Sequence, residues 1–172
     1  ISFQNFGNSN YRSREVGEAF RALHDAKVIQ LIYPTTATEF PLIPDLRKSP
    51  RLQFLDTGLV NHALKIQHQM LGLKDLSDAY KGAVIPHLIT QELVSLNKTS
   101  YQPPVFWVRE KKQSSAEVDL LYTCNGIVVP IEIKSGATGK LKSLHQFMEA
   151  SPHTFAVRIY GGKLEITEIE TL

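Results

Sequence analysis

Hydrophobic positions near the start of the chain recur at helical spacing and then merge into a continuous run. Val16, Phe20 and Leu23 lie three or four positions apart, which predicts an amphipathic helix over residues 11–27. The apolar-rich run over residues 28–33 predicts a strand. Residues 34–50 contain four prolines, so we expect a loop or an irregular strand there.

The rest of the chain alternates between helical and strand patterns. Helices are predicted after Asp56, which is expected to cap the first of them, over residues 82–96 and over residues 142–150. Strands are predicted over residues 105–109, 117–124, 127–134, 154–160 and 163–171, the last two joined by a turn at Gly161-Gly162. This order predicts an α/β fold with a mixed sheet whose faces are covered by helices.

Asn125-Gly126 lies between two apolar-rich runs and predicts the turn of a β-hairpin. Both residues tolerate the positive φ that a type I′ turn requires. A two-residue turn fixes the register, so Asp119 is expected opposite Glu132, and Glu117 opposite Lys134. We expect these four charges on one face and the core on the other. The residues expected on the core face are Val118, Leu120, Tyr122, Cys124, Ile127, Val129, Ile131 and Ile133.

The four charges of this hairpin suggest a chemistry. Two carboxylates directly opposite each other destabilise a sheet unless a cation compensates them. Asp119 and Glu132 are therefore candidate ligands of Mg²⁺ or Mn²⁺, which take oxygen ligands, and Glu117 is a candidate accessory ligand. The Lys134 ammonium is expected to stabilise charge on a phosphate or to orient the attacking water. The pattern predicts metal-assisted phosphodiester hydrolysis with Asp119, Glu132 and Lys134 as catalytic residues. The alternative is a surface ladder of ion pairs worth at most about 1 kcal/mol.

Composition and charge narrow the classes of function. At 172 residues and 42% hydrophobic content, the chain is long enough to bury a sizeable core. A net charge of +2 is compatible with nucleic acid as a partner. Candidate phosphate contacts flank the site in sequence: Lys111, Lys112, Lys140 and Lys142. The single cysteine is expected to be buried, and the setting cytoplasmic. There is no apolar run of membrane-spanning length and no phosphate-binding loop, so we expect no membrane contact and no ATP site in this chain.

The charged hairpin resembles a known signature. Asp119, then twelve residues, then Glu132-Ile133-Lys134 is similar to the D…(D/E)-x-K motif of the PD-(D/E)XK nuclease superfamily. With residues 48–59 and 90–93, it resembles more narrowly the uncharacterised C-terminal domain of bacterial and archaeal AAA+-type P-loop ATPases. The resemblance covers residues 21–163. It implies a restriction-endonuclease-like fold, a winged-helix-like linker remnant over residues 1–45, a nuclease-like domain over residues 46–172, and an upstream ATPase module in the same polypeptide. The start at Ile1 also leads us to expect a fragment of a longer chain.

One position departs from the pattern that the resemblance implies. An acidic metal ligand is expected four residues after Gly82, where this chain has Pro86. Glu92 is the nearest acid and a candidate accessory ligand if the helix is displaced or starts after Pro86. The alternative is that Glu92 is a solvated helix residue. Two hypotheses follow. The first is a Mg²⁺- or Mn²⁺-dependent nuclease-like domain that acts on DNA. The second is a catalytically inactive nuclease-fold module that binds nucleic acid or protein and regulates the ATPase.

Overall fold

A computed structural model describes residues 1–67, 84–96, 102–110, 116–134 and 141–168. Within these residues, six strands form one mixed sheet in the order β2-β1-β3-β4-β5-β6. The strands are β1 Ile29–Thr35, β2 Arg51–Phe54, β3 Val105–Val108, β4 Glu117–Cys124, β5 Ile127–Ile133 and β6 Val157–Ile159. The helices are α1 Ser13–Asp25, α2 Thr57–Ala63, α3 Ile85–Leu96 and α4 Lys142–Ala150, preceded by a short 3-10 helix, Phe6–Asn8. The predicted mixed α/β class is confirmed.

Strand β1 lies inside the sheet, between β2 and β3. It is antiparallel to β2, with Ile32 opposite Arg51, and parallel to β3, with Pro34 opposite Phe106. Its apolar run is typical of a strand that is buried on both faces, and Ile32 is completely buried. The predicted strand over residues 28–33 is thereby confirmed. β1 and β2 fall on either side of the proposed boundary at residue 45, and that division of the chain stays a prediction.

Both faces of the sheet are packed. On one face, α4 covers a core cluster formed by Val105, Trp107, Ala116, Val118, Leu121, Val128, Leu144 and Phe147. On the other face, α3 covers a cluster formed by Ile32, Phe106, Leu120 and Ile131, with Ile89 and Leu93 packed against it. We call these the α4 face and the α3 face. The prediction of a core on only one face of the hairpin was therefore wrong. Cys124 is exposed rather than buried, because it is the last strand residue before the turn.

The helix boundaries largely follow the local sequence. The predicted first helix is present as α1. Asp56 caps α2 as expected, since its carboxylate accepts a hydrogen bond from the Gly58 amide at 2.6 Å. Helix α3 begins at Ile85, so that Pro86, which has no N–H to donate, lies in its first turn. The first residues of the predicted helix, including Gly82, lie outside the described part of the chain.

The C-terminal hairpin was predicted wrongly in part. Strand β6 lies within the predicted 154–160 segment and is parallel to β5. Residues 163–168 form no strand, and Leu164 and Ile166 are fully exposed rather than in the core. The alternation of apolar residues there has no neighbouring strand to pair with among the described residues. Ile169 lies outside them.

None of the helices among the described residues combines the length and the apolar character that crossing a bilayer requires.

Candidate functional site

The turn and register of the β4–β5 hairpin are as predicted. Asn125 and Gly126 have φ values of 51° and 80°, the left-handed conformation that a type I′ turn requires. The two strands pair from Cys124 with Ile127 to Leu120 with Ile131. The turn therefore determines the register over these five pairs.

A β-bulge interrupts β4 at Asp119. On β3, Val105 lies opposite Leu121 and Trp107 opposite Val118, so two residues of β4, Asp119 and Leu120, face one residue of β3. The extra residue shifts the alternation of side chains along β4. As a result Val118 and Leu121 both pack on the α4 face, while Leu120 packs on the α3 face with Phe106.

The bulge separates the four predicted charges. Glu117, paired with Val108, and Asp119 lie on the α3 face with Phe106. Glu132 lies between Ile131 and Ile133, which both pack on the α3 face, so alternation places Glu132 and Lys134 on the α4 face. The ladder ends at Leu120 with Ile131, and the expected pairs Asp119–Glu132 and Glu117–Lys134 do not form. The prediction of a single polar face was wrong because the bulge depends on β3, which is distant in sequence.

Asp119 nevertheless lies at the junction of β4 and β5. Its Oδ2 accepts a hydrogen bond from the backbone N–H of Ile133 at 2.9 Å. The carboxylate thus contacts the peptide unit that joins Glu132 to Ile133. Where the regular ladder stops, the Asp119 side chain links β4 to β5 at the residue between Glu132 and Lys134.

Glu132 is the most deeply buried charge of the candidate site. Only 7% of its surface is exposed. Its Oε1 forms an ion pair with the Lys134 ammonium. Its Oε2 is buried and has no hydrogen-bond partner among the described residues. A buried carboxylate oxygen without a donor is uncommon in native proteins and calls for an explanation, such as a bound ion or water.

Arg51, the first residue of β2, crosses two strands to reach the bulge. Its guanidinium lies over the Phe106 ring, with Cζ 4.2 Å from the ring centroid. Nη1 donates to the Asp119 carbonyl at 2.9 Å and lies 3.6 Å from Asp119 Oδ1, while Nη2 pairs with Glu117 Oε1. Burial lowers the pKa of Arg51, and the charges of Asp119 and Glu132 act in the opposite direction. The acids on both faces of the sheet, Asp119 and Glu132, therefore both raise the pKa of this guanidinium.

The other predicted site residues lie apart from this cluster or outside the described residues. Glu92 is exposed on α3, and its side chain forms no ion pair with any described residue. Lys142 is exposed at the first position of α4. Lys111, Lys112 and Lys140 lie outside the described residues. The contacts of these four lysines with nucleic acid stay a prediction.

The β4–β5 seam, which is the place where the ladder ends between Asp119 and Ile133, offers few protein ligands for a metal ion. Among the described residues, no group of three or more His, Cys, Asp or Glu side chains is arranged to hold a metal ion. Two carboxylates suffice for Mg²⁺, which keeps several waters and takes oxygens from a substrate phosphate. Glu132 Oε2 has no protein donor, and Asp119 Oδ1 lies 3.6 Å from Arg51, too far for a hydrogen bond.

Sequence reasoning missed Arg51 and Phe106 as site residues. Arg51 stands in a basic group with Arg47 and Lys48, a composition typical of a solvated surface. Its direction is set by the pairing of β2 with β1, which places it opposite Ile32 and above Phe106. That pairing is not local, so no pattern around Arg51 reveals it.

Two family models match the chain. The model described as domain of unknown function DUF8612 matches residues 1–70. The model described as domain of unknown function DUF4143 matches residues 81–170, which include β3 to β6 and both carboxylates of the seam. No curated protein matches the chain, and no solved structure does. Because the second match covers more than half of the sequence, the chain belongs to the DUF4143 family.

Proposed function

We propose that this chain is a metal-dependent nuclease-like domain of the PD-(D/E)XK type, with a restriction-endonuclease-like fold, that acts on DNA phosphodiesters as the C-terminal part of a larger ATPase. The observation that carries the proposal is the buried Glu132 carboxylate. One of its oxygens pairs with Lys134, and the other has no hydrogen-bond partner among the described residues.

An unsatisfied oxygen at this depth is costly. A buried polar group without a partner loses about 1–3 kcal/mol, and more if the group is charged. Lys134 balances the charge of Glu132 but leaves Oε2 without a donor. A divalent cation next to Oε2 would remove that cost, and this is the support for a metal at the site.

The residues have distinct roles in the proposal. In the proposal, Asp119 reaches past the end of the β4–β5 ladder, where it accepts from the Ile133 amide, to share Mg²⁺ or Mn²⁺ with Glu132. The ion would supply Lewis-acid stabilisation of phosphate charge and a more acidic water. Asp119 is oriented by the Ile133 amide, so its carboxylate needs little reorganisation. Lys134 holds a positive charge beside Glu132, where it stabilises the negative charge that develops on a phosphate. Glu117 is paired with Arg51 and is left out of the ligand set.

A second candidate function rests on Arg51 and Pro86. The Arg51 guanidinium already neutralises Glu117 and lies 3.6 Å from Asp119 Oδ1, and an internal cation reduces the need for a metal. Pro86 occupies the position where the resemblance implies an acidic ligand. These two features favour an inactive nuclease-fold module that binds nucleic acid or protein and regulates the ATPase.

Calorimetric titration with Mn²⁺ and Mg²⁺ tests the proposal. We expect the wild type to bind either ion. Glu132→Gln and Asp119→Asn should weaken binding by at least the roughly 10- to 100-fold that loss of a supporting residue costs. Glu18→Gln is the matched control, because Glu18 is an exposed acid on α1 that pairs with Arg14. It should bind the ions as the wild type does.

Cleavage of supercoiled plasmid DNA separates the two candidate functions. The first expects nicking that requires the added ion and is lost in Lys134→Ala, while this variant still binds Mn²⁺. A wild type that binds no divalent ion, or whose affinity is unchanged in Glu132→Gln, contradicts the first function. A wild type that binds the ion through Glu132 but leaves DNA intact points to the second.

A further inference from the structure

We propose that Arg51 is a positioning residue for Asp119, holding the β4 bulge in the form that presents the Asp119 carboxylate at the β4–β5 seam. The catalytic meaning of this role rests on the function proposed above. The positioning itself is a property of the folded chain and can be tested without a metal.

The first argument is the contact with the bulge. A β-bulge leaves backbone groups of its extra residue without a ladder partner, and a buried carbonyl without a donor is destabilising. Arg51 Nη1 supplies that donor to the Asp119 carbonyl at 2.9 Å. The guanidinium thus satisfies the backbone group that the irregularity exposes.

The second argument is that Arg51 makes no hydrogen bond to the Asp119 carboxylate. Nη1 forms an ion pair with Asp119 Oδ1 at 3.6 Å, which is too long for a hydrogen bond, and Nη2 is engaged by Glu117. Oδ2 is held by the Ile133 amide. A cation that blocked the site would hydrogen-bond to the Asp119 carboxylate. Arg51 instead donates its hydrogen bond to the Asp119 carbonyl, approaches the carboxylate as an ion pair, and is held at its other end by Glu117.

The third argument is the geometry of the guanidinium. A planar group can lie flat over Phe106 while its two terminal nitrogens point to different acceptors, as Arg51 does here. A lysine keeps the charge but has one nitrogen on a flexible stem, and it cannot reproduce this fork. The substitution Arg51→Lys therefore separates geometry from charge.

Amide hydrogen exchange measured by NMR on the metal-free protein is the direct test. The Ile133 N–H reports the position of Asp119, because the Asp119 carboxylate is its acceptor. In Arg51→Lys we expect Ile133 to exchange about tenfold faster, the consequence of weakening one hydrogen bond. Tyr122, which pairs with Val129 in the regular ladder, should keep its wild-type rate.

Two control variants define the result. Arg47→Lys makes the same change at an exposed arginine of the same segment, which pairs with Asp45, and should leave Ile133 unchanged. Glu117→Gln keeps the contact of Arg51 with the Asp119 carbonyl, so Ile133 should stay within about threefold of the wild type. A larger rise in Glu117→Gln would mean that charge balance, not the carbonyl contact, positions Asp119, and would overturn the proposal.

The metal titration gives a second readout. If Arg51 positions Asp119, Arg51→Lys weakens Mn²⁺ binding by about 10- to 100-fold, the usual effect of losing a residue that orients a ligand. If Mn²⁺ binds Arg51→Lys as tightly as the wild type, or Ile133 exchange is unchanged, Arg51 has no positioning role. If the wild type binds no Mn²⁺, the proposed function fails, and the Ile133 amide alone decides whether Arg51 positions Asp119.

Discussion

The charged residues of the candidate site differ in what holds them. Asp119 accepts from the Ile133 backbone, and Arg51 donates to the Asp119 backbone, so both are fixed relative to the sheet. Glu132 and Lys134 pair through two long side chains, whose ordering costs more conformational entropy. The Asp119 half of the site is therefore the more preorganised. Because Arg51 helps to hold this half, we expect a single substitution at Arg51 to weaken metal binding.

His87 on α3 gives the fold a dependence on pH. Its Nδ1 accepts a hydrogen bond from the Phe54 amide at 3.1 Å, and burial lowers its pKa below the ordinary value of 6.5. Because protonation of Nδ1 would remove the acceptor, the folded state favours the neutral ring. The unfolded chain then binds a proton more readily than the folded one. Stability is present in full above the unfolded pKa and is lost as the pH falls through the folded pKa.

Urea unfolding between about pH 7.5 and about pH 5 measures this effect. A single proton contributes a slope of at most about 1.4 kcal/mol per pH unit. We expect the free energy of unfolding to fall with pH less steeply in His87→Gln than in the wild type. His62→Gln, at an exposed position of α2, should keep the wild-type slope. Equal slopes in the wild type and His87→Gln would show that His87 does not titrate on unfolding.

At the scale of elements, the β4–β5 turn sets the position of the seam. Gly126 has φ of 80°, and a Cβ added there would meet no atom within 4 Å. The cost of Gly126→Ala is therefore conformational, and we expect the free energy of unfolding to fall by about 1 kcal/mol. Gly161→Ala is the control, because Gly161 also has open space but no positive φ, and its stability should change little. Equal effects of the two substitutions in urea unfolding would contradict this account of the turn.

The same hairpin shows how far the sequence could predict the structure. Asn125-Gly126 and the alternation beside it determine the turn and the register, and both were predicted correctly from the turn to the pair Leu120–Ile131. The bulge at Asp119 was not predicted, because it is defined by two residues of β4, Asp119 and Leu120, that lie opposite one residue of β3, Phe106. Residues 163–168 alternate like a strand but have no partner in the described structure. A local pattern predicts a strand, but whether the strand pairs and where it bulges depend on residues distant in sequence.

For the candidate site, the sequence identified the acids but not their arrangement. Asp119, Glu132 and Lys134 were found from the hairpin and the motif it resembles, and their catalytic roles stay predictions. The contact of Asp119 with Ile133 and the crossing of Arg51 over Phe106 follow from strand order, which no local pattern encodes.

At the scale of the whole molecule, the sheet joins segments that match two different family models. β1 and β2 lie in the match over residues 1–70, and β3 to β6 lie in the match over residues 81–170. The two parts meet where β1 runs parallel to β3. Arg51 comes from the first part and the acids it contacts come from the second, so the candidate site belongs to the whole sheet. A functional assay on either part alone would lack one of these contributions.

Removal of residues 1–45 tests this integration and the proposed boundary. The deletion takes away β1, leaves β2 without its neighbour and exposes the edge of β3. It also removes Thr36, whose carbonyl accepts from Trp107 Nε1 at 3.2 Å. We expect the shortened chain to show no cooperative unfolding in urea and to have the red-shifted emission of a solvent-exposed tryptophan, because a central strand cannot be removed without exposing the core.

A chain that lacks only residues 1–10 keeps all six strands and should unfold cooperatively. Cooperative unfolding of the 46–172 fragment with buried-tryptophan emission would instead support an independent domain that begins at residue 46.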